Sequence, residues 1–272
     1  MRLRNLIALM FVCLLGMQAL SIAHFLDEER YLSDLMDRIA PRTLPPSEQA
    51  IKVIESLKEM PDIDNPSYFI LPIFGFLRAT SRQVMEQGGE CSDRSRLVIR
   101  LLNVRGIKAS KWALYSSEGK SVHATVELET ESGEMVVDPL FGLWFPRVGG
   151  GYYGIRELRQ SPEILRDRIE SLVEQGKHPG TSDLRRYPLN DYSYAYVKTI
   201  NWDKWLGMRM VYKVLRVVVG PAVDDLQRPT FVESPQLMVV IIAAGLQSAL
   251  ITLYFAVVRM EGNVKRERGW SV

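Results

Sequence analysis

The chain has 272 residues, room for one medium-sized domain with accessory segments, and its 47% apolar and 24% charged residues exclude a disordered chain. A formal net charge of +2 leaves no footprint for nucleic-acid binding. The positive excess belongs to the ends: setting aside Arg2, Arg4, Arg259, Lys265, Arg266 and Arg268 together with Glu261 and Glu267 leaves the middle near −2.

An apolar run over 6–23 opens the chain, interrupted by Gln18 and Ser21. It reads as a transmembrane anchor or a signal segment, with Ser21 and Ala23 supplying the small residues of a cleavage site before His24. Cys13, behind bulky Phe11 and Val12, does not read as a lipoprotein signal. A charged amphipathic helix follows over 26–39, ended by a linker at Pro41, Pro45 and Pro46. Ser47 then caps a helix reaching about residue 60, with Ile51, Val53, Ile54 and Leu57 on its apolar side. Pro61, Pro66 and Pro72 mark an irregular stretch through Phe69, Phe74 and Phe76, and a short helix over 80–87 stops at Gly88-Gly89.

The helix predicted over 91–105 is well marked: Leu97, Val98, Leu101 and Leu102 form its stripe and Gly106 its stop. Strands follow over 109–115, 122–129 and 134–138, with turns at 116–120 and 130–133. Ser161-Pro162-Glu163 starts another helix, which Gly176 closes. Gly149-Gly150-Gly151 lacks the following Lys-Ser/Thr of a phosphate loop and reads as a flexible loop. Tyr187, Tyr192, Tyr194, Tyr196, Trp202 and Trp205 form an aromatic-rich region with no assigned structure.

Over 208–219, Arg209, Lys213 and Arg216 share one helical face, with Met208, Met210, Val211, Val214, Leu215 and Val218 around the rest. Such a helix either lies at a membrane surface or packs as a core helix. The run over 237–258 has 22 residues without a charge, and a span needs about 20. Gly245 and Ala249 within it form a small-xxx-small pair that would seat a partner helix. Basic residues on the outer flank of both apolar runs predict cytoplasmic ends and an extracytoplasmic middle, held at the plasma (inner) membrane with the lipid bilayer as partner. The segments are 1–26 anchor or signal, 27–78 helical and linker, 79–145 core, 146–234 extension, 235–259 transmembrane helix and 260–272 basic tail.

Cys91 is the only cysteine outside the first apolar run, so an exported domain would carry one free thiol. Gly88, Gly89, Glu90, Ser92 and Asp93 around it do not make an apolar burial site. In the first turn of a helix, the macrodipole favours a thiolate. Gly88-Gly89 would let the chain turn sharply and a substrate approach the backbone. Thiol chemistry also needs a proton carrier and an orienter. If Glu129 and Glu134 flank the hairpin turn, His123 lies opposite Leu140 with Asp138 as its diagonal neighbour on the same face, about 7–8 Å away at the backbone. That register sends Ala124, Val126, Leu128, Met135 and Val137 to the other face; Glu127 shares the polar face without a role.

The residues Gly89-Glu90-Cys91-Ser92-Asp93, His123-Ala124-Thr125-Val126-Glu127 and Val137-Asp138-Pro139 resemble the transglutaminase-like superfamily, a branch of the papain-like thiol enzymes. The likeness covers roughly residues 80–145. It implies an α+β papain-like core, a cysteine at a helix N-terminus packed on an antiparallel sheet, flanked by terminal transmembrane helices. It also implies roles: Cys91 as nucleophile, His123 as general base and acid, Asp138 as orienter of His123. The superfamily holds crosslinkers, proteases, amidases and members without activity, so likeness does not choose the substrate.

The chemistry expected is attack of Cys91 on an amide of a peptide or protein in the envelope, with the Cys91 backbone N–H as one oxyanion donor. Gln83, Gln87 and Trp112 are candidates for the second. The competing reading is a catalytically silent binding module within an envelope assembly. One Cys, one His and one carboxylate would hold zinc only in part, and with no close-spaced second Cys or His neither metal nor cofactor is invoked.

Overall fold

The computed structural model describes residues 3–63, 77–189, 196–204 and 206–267. Pro66, Phe69, Pro72, Phe74, Phe76, Tyr192, Tyr194 and Trp205, named above, lie outside the described residues. The chain is α+β, and runs α1 (Leu3–Ile39), α2 (Pro46–Ser56), α3 (Ser81–Gln87), α4 (Cys91–Asn103), β1 (Ala109–Tyr115), β2 (Ser121–Thr130), β3 (Gly133–Asp138), β4 (Leu143–Trp144), α5 (Ile155–Gln160), α6 (Pro162–Glu174), β5 (Tyr196–Lys198), α7 (Leu206–Val219) and α8 (Pro235–Glu267). It divides into two compact units, Met1–Asp27 with Ser234–Val272, and Glu28–Glu233.

The first apolar run and the charged helix expected after it are one continuous α1, which belongs to the terminal unit up to Asp27 and to the central unit from Glu28. No Gly or Pro falls between Gly16 and Pro41, so nothing in the chain breaks the helix. Stretches Leu3–Ile39 and Pro235–Gly262 are both long and apolar enough to cross a membrane. Within the terminal unit α1 and α8 run antiparallel: Gln18 Nε2 donates to the Val240 carbonyl at 3.1 Å, and Arg4 pairs with Glu261 at 3.3 Å. The buried positions of α8 include Val239, Ala243 and Gln247, at a spacing of four, while Gly245 and Ala249 are exposed.

The central unit is built on one antiparallel sheet in the order β4-β3-β2-β1-β5. Glu129 pairs with Glu134 and Val126 with Val137, the register counted from the hairpin; pairing continues to Thr130–Gly133, so the turn shortens to Glu131-Ser132. Gly133 takes φ 113°, which a side chain would resist, and this lets the ladder begin directly after the turn.

Period-two alternation gives the sheet two apolar faces. Val126, Leu128, Met135 and Val137 pack with Val53 and Ile54 of α2 and with Leu97, Val98, Leu101 and Leu102 of α4. Trp112, Leu114 and Val136 pack instead with Ile155 and Leu158 of α5 and Leu165 and Ile169 of α6. Each fully buried side chain of this size contributes about 1.5–3 kcal/mol. Helix α4 sinks deeper than its stripe alone requires. Arg94, Arg96 and Arg100 are buried too, with Arg96 paired to Asp93 at 2.9 Å and Arg100 to Glu28 and Glu29. Helix α7 is the opposite case: none of its residues is buried. It is not a core helix.

Candidate functional site

Cys91 is the first residue of α4 and is half-buried. The approach to it is fixed by Pro61. Gly88 adopts φ 99°, and a Cβ there would lie 2.3 Å from the Pro61 carbonyl oxygen. The Gly89 N–H donates to that same oxygen at 3.1 Å. The two glycines are therefore required by close packing on the chain itself. This corrects the expectation that they leave room for substrate: both are buried, and the Cα face of Gly88 is occupied.

Two side chains one turn along α4 complete the frame. Fully buried Arg94 donates Nε to the Gly89 carbonyl and Nη2 to the Met60 carbonyl, each at 2.7 Å. Ser95 Oγ lies 2.7 Å from the Cys91 carbonyl oxygen and 3.3 Å from the Ala124 carbonyl, which ties the start of α4 to β2 beside His123. Neither residue was singled out in the sequence. Their spacing of three and four from Cys91, which puts them on its own helical face, was the available signal.

His123 projects from β2 opposite Leu114 and is buried. Its ring lies edge-on to Phe141, centroids 5.4 Å apart, and to Tyr187 at 6.1 Å. His123 Nε2 is 2.6 Å from Asp138 Oδ2. The other oxygen, Oδ1, accepts the N–H groups of Leu140 and Phe141, each at 3.1 Å. Asp138 is fully buried at the end of β3, and its carboxylate both holds His123 and shapes the turn after the strand.

The Cys91 thiol lies near enough to His123 to act on its titration. With Nε2 committed to Asp138, the remaining ring nitrogen for the thiol is Nδ1. Burial alone would push the histidine down; the charge of Asp138, its hydrogen bond and the Cys91 contact outweigh it, and the ring is raised to about 10. Arg94 lies close enough to Asp62, Asp138 and Cys91 for their charges to act on it, while burial pushes its guanidinium down.

No family model, curated protein or solved structure matches this chain. The site's chemistry therefore rests on its own geometry.

The oxyanion candidates fare differently. Trp112 gives its indole N–H to Glu127 at 2.9 Å, so that donor is spent on a half-buried carboxyl and is withdrawn from the oxyanion role. Gln83 is held in the capping box of α3, its Oε1 accepting the Thr80 N–H at 2.8 Å. Gln87 ends α3 and is exposed. At the start of α4 the Asp93 and Arg94 N–H groups are taken by the Glu90 carbonyl at 3.0 Å, which leaves the N–H groups of Cys91 and Ser92 as the oxyanion donor candidates. Glu127, without a role in the sequence, accepts from Trp112 and from the Ile155 N–H at 2.7 Å. Burial is the main cause that raises its carboxyl to about 7. Its work is structural, joining the sheet to the start of α5. Among the described residues no three His, Cys, Asp or Glu side chains converge on a common metal position.

Proposed function

We propose that the central unit is a thiol enzyme of transglutaminase-like type acting on amides, with Cys91 as nucleophile, His123 as proton carrier and Asp138 as its orienter. The observation that carries this reading is the buried His123–Asp138 pair, with the Cys91 thiol against the same ring. A ring that keeps its proton at neutral pH does not draw one from the thiol. Instead, a charged imidazole and the Arg94 guanidinium favour a thiolate by charge, and the imidazolium supplies the proton needed later.

The sulfur attacks the amide carbonyl, forming a C–S bond and a tetrahedral oxyanion that the N–H groups at the start of α4 receive. Collapse of that oxyanion breaks the C–N bond, and the proton on His123 goes to the departing amine. A thioester remains. Water, or a second amine, attacks it; His123 takes the proton from the attacking atom, and the C–S bond breaks to return the thiolate. Buried Asp138 accepts from Nε2 throughout, which keeps Nδ1 aimed at sulfur.

The reading extends to location. The papain-like core sits outside the cytoplasm at the plasma membrane, with both chain ends inside; the antiparallel α1 and α8 and their apolar length support this. Helix α7 belongs on the bilayer surface. Leu206, Met210, Val214, Val217 and Val218 lie on one side of it, 62–87% exposed, with Arg209, Lys213 and Arg216 beside them. Stranding that much aliphatic surface in water is unfavourable, and an interfacial helix removes the cost. A further helix of the envelope would dock through exposed Gly245 and Ala249.

Alkylation of Cys91 by iodoacetamide tests the chemistry. The rate at neutral pH should fall at least tenfold in His123→Ala. A rate that ignores His123→Ala would favour the silent binding module instead.

A further inference from the structure

The central unit carries a concave feature that the proposed amide chemistry does not use. A cleft of about 510 Å³ opens at the β4 edge of the sheet. Lys58, just beyond α2, Arg168 of α6, and Lys177 and His178 after α6 line it, and among the described residues no acidic one does. Trp144 and Leu172 supply an apolar wall.

Two observations separate this cluster from an ordinary solvated basic face. Arg168 Nε is buried and has no hydrogen-bond partner among the described residues. Burial is the only influence acting on its guanidinium, which it pushes down, so no neighbouring carboxylate offsets the desolvation. Nor does any of the other three basic residues have an ion-pair partner among the described residues, although ion pairs are common elsewhere among them. In a chain so nearly balanced in charge, cations that line one cleft without a carboxylate partner are a site for an anion from outside.

We propose that this cleft binds a phosphate group, with Arg168 as the directional donor and Lys58, Lys177 and His178 around it. The charge count chooses phosphate over a carboxylate. Lys58, Arg168 and Lys177 bring three positive charges and His178 two ring nitrogens, which a dianion with several acceptor oxygens satisfies and a monoanion does not. The wall of Trp144 and Leu172 accommodates an apolar or ring-shaped portion attached to the phosphate. The cleft is also coupled to the first site by backbone. Gly142 lines it, and Phe141, the preceding residue, packs against His123. Gly142 takes φ 66°, with Pro179 so close that a Cβ would lie 2.2 Å from its carbonyl oxygen, so the segment carrying His178 is seated on the turn that Asp138 begins.

A phosphate can reach the cleft on a soluble molecule or on a lipid headgroup, and one experiment separates the two. The full chain is placed in nanodiscs, and acylation of Lys177 by an activated acetate ester is followed by mass spectrometry. In zwitterionic discs, inorganic phosphate should slow acylation at least fivefold relative to chloride at equal ionic strength, which supports the site and assigns a soluble ligand. Slowing only in discs containing phosphatidic acid supports the site and assigns a headgroup. Arg168→Gln should abolish either effect. Because that variant removes a half-buried residue, Lys58→Gln, at an exposed position, is run beside it and should weaken the effect at least threefold. Absence of protection in both arms overturns the proposal, as does protection that survives both substitutions. Neither result bears on Cys91, whose alkylation is read in the same samples.

Discussion

Asp138→Asn isolates the charge in the His123 pair from the geometry around it. The asparagine retains an Oδ1 that can accept from Leu140 and Phe141, so the turn after β3 survives. What disappears is the negative charge that holds the His123 proton. The folded ring is raised to about 10 from an ordinary 6.5. Since the folded value lies above the unfolded one, the associated stability is complete below about pH 6.5 and is lost as pH rises through about 10. Linkage puts it at roughly 3 kcal/mol near pH 7.4, and under about 1 kcal/mol by pH 10. Thermal unfolding of the full chain in detergent should therefore show Asp138→Asn well below wild type at pH 6–7.5, the gap narrowing steadily toward pH 10. In the same samples alkylation of Cys91 should slow by about tenfold or more at neutral pH. A gap constant across this range, or one that widens with pH, would refute the argument that Asp138 acts through the histidine's charge.

Gly88→Ala should be far worse than Gly106→Ala: both residues have positive φ, but only Gly88 faces the Pro61 carbonyl, and Gly106 has open space. The first should prevent folding or cost more than about 3 kcal/mol, and the second about 1 kcal/mol, by chemical denaturation. Glu127→Gln removes an acid raised to about 7 but keeps one acceptor oxygen where Glu127 uses two, Oε2 for Trp112 and Oε1 for Ile155. An acid raised on folding loses stability as pH climbs from about 4.5 to 7, so the variant should be less stable than wild type by about 1–3 kcal/mol at pH 4, for the donor left unpaired, and should recover roughly 1–3 kcal/mol relative to wild type by pH 8. A fluorophore on Val217→Cys, in a Cys13→Ser and Cys91→Ser background, should be quenched by nitroxide-labelled lipid in nanodiscs. Quenching by aqueous iodide alone would place α7 in water, and disulfide formation between Val217→Cys copies would mean that a second protomer covers it.

The hairpin was legible because its turn and its two faces point to one register: moving one strand by a residue would drive Val126 and Leu128 to the His123 face. The stripe of α4 was legible for the same reason, as a period that only one structure satisfies. Interactions across long separations left no such mark. Nothing local to Gly88-Gly89 reveals that Pro61 fills the space, and nothing in Arg94 tells that its fork reaches Met60, 34 positions away. Glu127 looked idle because its partners, Trp112 and the Ile155 N–H, come from another strand and from the start of a helix. The continuity of α1 is hidden in the sequence by the abrupt change of charge near residue 26, and a change in polarity does not break a helix.

Asp138 gives one carboxylate two duties, a ring on one oxygen and a turn on the other. The turn it begins leads through Phe141 to Gly142 and the rim of the basic cleft. The side chain that holds His123 thus also holds the turn on which one rim of the cleft is built. An isosteric amide would remove the charge beside His123 and keep the turn, whereas a smaller residue would unsettle both at once. On the functions proposed above, asparagine is the nearest substitution that would part the two sites, so the residue at this position would record which of them a lineage had kept.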